Sequence, residues 1–164
     1  MKSTGEVMGI GASFGEAFGK AQEAANMTLP LVGSVFVSVL DGHKEEIAEV
    51  IRTLYENGFL IYATTGTAGY LQEAGIECTR VNKVTEGRPH IVDMIKNKKI
   101  SLIINTSSGK RSTSDSASIR AQALQYRVAY TTTVAGATAA ALAILDKNPM
   151  NVRRLQSLHE EFLL

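Results

Sequence analysis

The chain holds one cysteine, Cys78, among 164 residues. That count excludes an internal disulfide and any cysteine-built zinc site. It fits a reducing compartment, because disulfides mark oxidising ones. Cys78 lies beside a predicted strand, which favours a buried, inert thiol over a nucleophile. The N-terminus has no apolar signal core. The longest apolar-looking stretch, Val134 to Leu145, is rich in alanine and too short to span a bilayer. A cytoplasmic protein is therefore expected. Charge of one sign is also scarce: 17 Lys and Arg balance 16 Asp and Glu, for a net +1. Such balance argues against a nucleic-acid footprint and against a polybasic membrane patch. It leaves room for a small, locally basic pocket.

Familiar chemical signatures are missing as well. Gly9-Ile10-Gly11-Ala12-Ser13-Phe14 lacks the third glycine of a dinucleotide fingerprint, and no long strand precedes it. Gly109-Lys110 runs into Arg111, and Ile104 stands where a Walker A loop needs glycine. His43, His90 and His159 show no metal-ligand spacing, and His90 reads best as a helix-start residue. Nothing assembles a Ser-His-Asp set, and no general acid or base stands out. There is no internal repeat and no low-complexity segment. Neither catalytic residues nor a metal or cofactor site is expected.

What is present is an alternation of strand and helix. The hydrophobic fraction of 45% and the charged fraction of 20% suit a globular protein. A chain of this length buries about 68–70% of the surface its unfolded form exposes, so one domain with a full core is expected. Gly33–Leu40 reads as a strand, followed by a helix over His43–Asn57 with Ile47, Val50, Ile51 and Leu54 on one face. Phe59–Ala63 is a second strand, Thr67–Ala74 a short helix, and Ile76–Val81 a third strand. After a polar loop, Pro89 suits the first turn of a helix whose inner face is Ile91, Met94 and Ile95. Ile100–Ile104 is apolar throughout, as a central parallel strand must be. Residues Ser107–Ser114 read as a polar loop, Asp115–Tyr126 as a helix capped by Ser114 or Asp115, and Val128–Thr132 as a fifth strand. Val134–Leu145 and Asn151–Leu164 close the pattern as helices, the latter with Val152, Leu155, Leu158 and Phe162 on one face. Near the start, Phe14–Ala25 is a helix with Phe14, Ala17, Phe18 and Ala21 on one side, and Asn26–Pro30 reads as a linker. These elements predict βαβ units, hence an α/β fold with a parallel sheet covered by helices on both faces.

Two loops follow predicted strands. Thr64-Thr65-Gly66-Thr67 gathers hydroxyls, a glycine and the first N–H groups of a helix, which suits a phosphate. Ordinary capping by Thr65 or Thr67 explains it equally well. Asn105-Thr106-Ser107-Ser108-Gly109 supplies an amide, three hydroxyls and a glycine, with Lys110 and Arg111 behind them. A solvated loop of Asx and Ser/Thr turns is the alternative, but the concentration of phosphate-compatible groups favours binding. Lys44 and Lys83 follow the first and third strands and would lie near the same sheet edge. Taken singly, each is most simply a solvated charge.

Longer stretches carry a resemblance. Val81-Asn82-Lys83-Val84-Thr85-Glu86-Gly87-Arg88-Pro89-His90-Ile91 and Lys2-Ser3-Thr4-Gly5-Glu6-Val7-Met8-Gly9 are two. Ile103-Ile104-Asn105-Thr106 and Ala123-Leu124-Gln125-Tyr126 are two more. Together they resemble the C-terminal allosteric domain of the carbamoyl phosphate synthetase large subunit, from about Lys2 onward. The resemblance implies the methylglyoxal-synthase-like fold: a three-layer α/β/α arrangement with a five-stranded parallel sheet. It implies that residues 1–30 are a linker and helix from the end of the synthetase part, and 31–164 an allosteric nucleotide-binding domain. UMP and IMP are the implied effectors. Phosphate contacts carried over fall on Lys44, Thr64, Gly66, Thr67, Lys83, Asn105 and Thr106, with Ser107, Ser108 and Lys110 beside them. Ser107 stands where the family often has threonine, which keeps the hydroxyl. Lys110 stands where arginine is common, which keeps charge but loses the bidentate fork. Thr65 stands where some relatives have histidine.

An ornithine site is implied too, with Tyr130 and Thr132 as this chain's share. In the family, the parent enzyme uses ATP with magnesium or manganese and works with a glutamine amidotransferase small subunit, in an oligomer. The sequence opens where that chain would be mid-way, without its ATP-grasp regions, so a fragment without catalytic activity of its own is expected. The alternative of the same fold, a free-standing methylglyoxal synthase acting on dihydroxyacetone phosphate, carries a Gly-Gly-Asp catalytic loop. Here that region reads Glu86-Gly87-Arg88-Pro89-His90, without the aspartate. The cyclohydrolase half of a late purine-synthesis enzyme shares the fold, but its signature segments do not appear.

Overall fold

Val35, Phe36 and Val37 are all fully buried in the computed structural model, which is the mark of a strand covered on both faces. The structure describes residues 5–107 and 110–146, the latter as backbone only over 110–115, together with positions 152, 154, 156, 157 and 159. The three buried residues form the middle of β1 (Ser34–Ser38). β4 (Leu102–Asn105) is buried at every position and runs parallel to β1, from Val35 against Leu102 to Ser38 against Asn105. On the other side β2 (Leu60–Ala63) pairs Ser34 with Leu60 and Val37 with Ala63. Two short strands, β3 (Thr79–Arg80) and β5 (Ala129–Thr131), form the edges. The sheet is five-stranded, parallel throughout, in the order β3-β2-β1-β4-β5. The strand order reverses between β1 and β4, where open parallel sheets leave a crevice for ligands.

Alternation along β1 divides the core into two layers. Val35 and Val37 pack with Ile47, Ile51 and Leu54 of α2 (Lys44–Glu56), Ala68 and Leu71 of α3 (Thr65–Glu73), and Ala137 and Ala141 of α6 (Val134–Leu145). Phe36 and Ile103 face the other way. They meet Ile91 and Ile95 of α4 (Ile91–Lys96) and Ile119 and Ala123 of α5 (Lys110–Tyr126). This is the expected three-layer α/β/α arrangement.

Outside α6 lies α1 (Phe14–Ala24), capped by Ser13, whose Oγ accepts from the Glu16 N–H at 3.0 Å. Between α1 and β1, Met27 and Leu29 pack against the first core layer. The aromatic face expected of α1 is corrected here: Phe14 is 62% exposed. Its glycines meet α6 instead. A Cβ on Gly15 would come within 2.6 Å of the Leu142 carbonyl oxygen, so the close approach requires glycine and turns Phe14 outward.

Four boundaries also move. The third strand shrinks to Thr79–Arg80, because Ile76 is a core plug preceding it rather than a ladder residue. α3 starts two residues early, at Thr65. α5 starts at Lys110, not Asp115, so the supposed loop 107–114 is mostly helix and no cap sits at Ser114 or Asp115. Its polar first turns lack apolar periodicity; the buried apolar positions begin at Ile119. Pro89 precedes α4 instead of opening it, and His90 takes the N-cap position. Ser108 and Gly109 lie outside the described residues, as do Leu155, Leu158 and Phe162 of the last predicted helix.

Cys78 is half-buried against the first core layer, its Sγ 3.7 Å from the Ala68 carbonyl oxygen. Burial pushes its thiol up, opposed only by nearby Arg80, so the inert reading fits its surroundings. Among the described residues, no helix is long and apolar enough to cross a membrane.

The two-layered core generates a prediction. Ile51 is fully buried at the junction of α2 and the sheet. Ile51→Ala should cost about 2–5 kcal/mol in urea unfolding, the range for deleting a buried aliphatic side chain. An equally large loss from Ala at exposed Leu60 would be inconsistent with this layering.

Candidate functional site

The parallel register delivers three polar side chains to one end of the sheet. Ser38 ends β1 opposite Asn105 at the end of β4, and the Thr64 hydroxyl donates to the Ser38 Oγ at 3.3 Å. Backbone bonds extend the pairing past the strand ends, from the Thr64 N–H to the Val37 carbonyl and the Thr106 N–H to the Ser38 carbonyl. Above them opens a cavity of about 510 Å³. Lys44, Thr64, Gly66, Thr67, Lys83, Asn105 and Thr106 all line it.

Thr64 occupies the N-cap position of α3 in extended backbone, yet no side chain caps that helix. Thr67 does not act as a cap either: its Oγ1 accepts from the Val39 N–H at 3.3 Å and lies 3.4 Å from the Thr64 hydroxyl oxygen. Thr65 is the first residue of the helix and not its cap, so the capping alternative does not describe this loop. The helix N-terminus, with its orphan N–H groups and positive dipole end, faces the cavity at Gly66.

Asn105 is 4% exposed, and its Nδ2 has no hydrogen-bond partner within the protein. Leaving such a donor unsatisfied costs about 1–3 kcal/mol, and an incoming acceptor would recover it. Thr106 Oγ1 accepts from the Leu40 N–H at 3.0 Å and lies 3.1 Å from His43 Nδ1, which fixes its rotamer. Lys44 opens α2, and its Nζ lies 3.7 Å from where a Cβ on Gly66 would be. Lys83 stands at the start of a 3-10 turn, Val84–Glu86, and its N–H donates to Glu86 Oε2 at 2.9 Å. Gly87, at φ 99°, ends that turn in backbone that favours glycine.

Other nominated residues fall elsewhere. Ser107 is half-buried beside Thr106 but does not line the cavity. Lys110 contributes the first residue of α5, and its side chain lies outside the description, as does Ser108 entirely. Tyr130 is half-buried on β5 against the second core layer, and Thr132 is exposed just beyond it; neither reaches the cavity. His90 also stays outside it, with Nδ1 3.3 Å from Asp93 Oδ2 at the start of α4. Among the described residues, no three His, Cys, Asp or Glu side chains gather as a metal site.

With this geometry in hand, residues 46–132 match the family model described as MGS-like domain. The chain belongs to the MGS-like domain family. Its sequence is 55% identical over 159 residues to the carbamoyl phosphate synthase large chain of Pseudomonas putida, covering 97% of this chain. The protein of the same name from Xanthomonas campestris is 52% identical over 161 residues, and that of Rhizobium meliloti 49% over 162, each covering 98% of this chain. The chain spans about 15% of the length of these relatives.

The MGS-like cavity also holds residues that the sequence reading passed over: Ser38, Asp41, Thr85, Glu86 and Ser116. Asp41 had a signal, since it precedes Lys44 by three residues at a helix start; the pair closes at 2.7 Å. Ser116, at 3% exposed, had none, being one hydroxyl in a polar run. The hydrogen bond from Lys44 holds the Asp41 carboxyl below the usual carboxylate value, with the charges of Lys44 and Lys83 acting the same way and desolvation opposing them. A depressed carboxylate stabilises the fold above its unfolded value of 3.8 and loses that contribution as pH falls through the folded value. Asp41→Asn should therefore remove a small contribution to stability that is present above pH 3.8 and lost as pH falls below it. Urea midpoints on either side of that value measure it, and a larger acid loss in the variant than in the parent would contradict the pairing.

Proposed function

We propose that this MGS-like chain is the effector-sensing part of a carbamoyl phosphate synthase large chain, binding nucleoside monophosphates through their phosphate. The observation that carries the reading is the convergence at one cavity of an uncapped helix N-terminus, the Lys44 ammonium and the partnerless Asn105 amide. Each alone is common; together they suit a small dianion. Thr64 and Thr67 offer hydroxyls to the same anion, and Gly66 admits it close to the backbone. Lys83, which also lines the cavity, supplies a second cation.

The rest of the cavity suits a nucleoside. Phe36, Val84, Ile91 and Ile119 provide apolar walls, while Thr85, Glu86 and Ser116 offer polar groups for ribose and base. Its volume lies within the roughly 300–1,000 Å³ range of small-molecule sites. UMP and IMP are the effectors proposed. Ornithine is the third, held in part by Tyr130 and Thr132, with the remainder of its site outside this chain.

In this reading the parent makes carbamoyl phosphate from bicarbonate, glutamine and ATP, with magnesium or manganese, alongside its amidotransferase small subunit. The MGS-like domain would tune that output for pyrimidine and arginine biosynthesis, in the cytoplasm and within an oligomer. It would act by binding one conformational state of the whole enzyme more tightly than another, since only differential affinity shifts such an equilibrium.

The lyase alternative needs a carboxylate free to take a proton. Asp41 and Glu86 are the carboxylates lining the cavity among the described residues. The first is made a weaker base by Lys44, and the second accepts the Lys83 N–H. A sensor is the better fit. Isothermal titration with UMP and with IMP should show saturable binding that inorganic phosphate competes away. Lys83→Ala should weaken it by about 1–3 kcal/mol, the range for losing a charged hydrogen bond. Absence of heat and of phosphate competition at millimolar concentration would sink the proposal. Methylglyoxal released from dihydroxyacetone phosphate would establish the lyase instead.

A further inference from the structure

We propose that Asp41 is an internal counter-ion that competes with the ligand's anionic group for Lys44 and thereby limits how tightly the cavity holds an anion. The inference rests on the phosphate reading of this cavity and deepens it. Both residues line the same cavity, and Asp41 Oδ1 sits 2.7 Å from Lys44 Nζ. Their environments differ sharply. The Lys44 side chain is 17% exposed, whereas that of Asp41 is 94% exposed. The cation is thus enclosed beside the N-terminus of α3, and the carboxylate occupies the solvent side of its ammonium group.

Three physical consequences follow. The carboxylate already uses one of the three N–H donors of Lys44, so an arriving phosphate must share or displace it. Displacement is feasible, because a carboxylate so exposed is held only weakly by an ion pair. A displaced Asp41 still repels a second anion nearby, since it remains anchored in the 3-10 turn Asp41–His43 at the cavity rim. Asp41 accordingly restrains an anion site that would otherwise hold any small phosphate, and leaves the nucleoside contacts to discriminate. No other pocket-lining carboxylate among the described residues pairs with Lys44, since Glu86 belongs to the Lys83 turn.

The test is a titration of the 164-residue chain with inorganic phosphate, followed by backbone amide NMR at Gly66 and Thr67. Asp41→Asn should bind phosphate about two- to five-fold more tightly, as removal of one exposed like charge nearby predicts. Asp41→Ser serves as a second variant with the same expected direction. In a Lys44→Ala background, Asp41→Asn should gain less affinity than it does with Lys44 present, because the competed cation is gone and only direct repulsion remains. Unchanged or weaker binding by both Asp41 variants, with the Gly66 and Thr67 amides still shifting, would overturn the proposal alone. An undiminished gain in the Lys44→Ala background would overturn it as well. Phosphate that leaves those two amides unmoved in every protein would overturn the phosphate reading and the proposal together.

Discussion

The parallel pairing of β1 with β4 is the contact on which the site depends. It spans the reversal in strand order, so no crossover helix covers the carboxyl ends of these two strands. The register sets Ser38 beside Asn105, and the next backbone bonds set Thr64 and Thr106 at the same height. A one-residue slip would turn these side chains to the other face of the sheet and drive Phe36 into the wrong core layer. Full burial of Val35, Phe36, Val37 and all of β4 makes such a slip costly. Core packing thus holds the cavity in place.

Around that fixed edge α2 and α3 contribute charge. α3 points its uncapped N-terminus at the cavity, and α2 begins with Lys44 beside it. The positive end of a helix and an ammonium group would repel each other in an empty site; Asp41 supplies a compensating charge at the rim. The Asn105 amide, buried without a partner, is a further donor that an acceptor would complete. Binding sites often keep such unmet groups where a ligand completes them.

Much of this was legible beforehand, for identifiable reasons. Apolar continuity in ISLII and β-branched content in GSVFVSVL marked the two central strands, because burial on both faces forbids polar alternation. Lys44, Thr64, Gly66, Thr67, Lys83, Asn105 and Thr106 followed partly from loop chemistry at strand ends and partly from family resemblance, and the structure gathers them around one cavity. The early start of α5 was hidden because its first turns are polar, so apolar periodicity has nothing to report. Phe14 misled for a different reason. Aromatics usually mark a buried face, but the approach of α1 to α6 is close enough to demand Gly15 instead.

Local patterning by itself determined that strands alternate with helices, which strands are central, and which loops carry anion-compatible groups. These properties depend on neighbours within a few residues, so the linear order of side chains expresses them. Only the tertiary structure decided that Lys44 closes on Asp41, that Thr67 supports Val39 instead of capping a helix, that Asn105 keeps a free donor, and that Ser116 shares their cavity. Each of these rests on register, on helix approach, or on where a side chain finds a partner. Long-range packing sets those distances, and no local propensity encodes them.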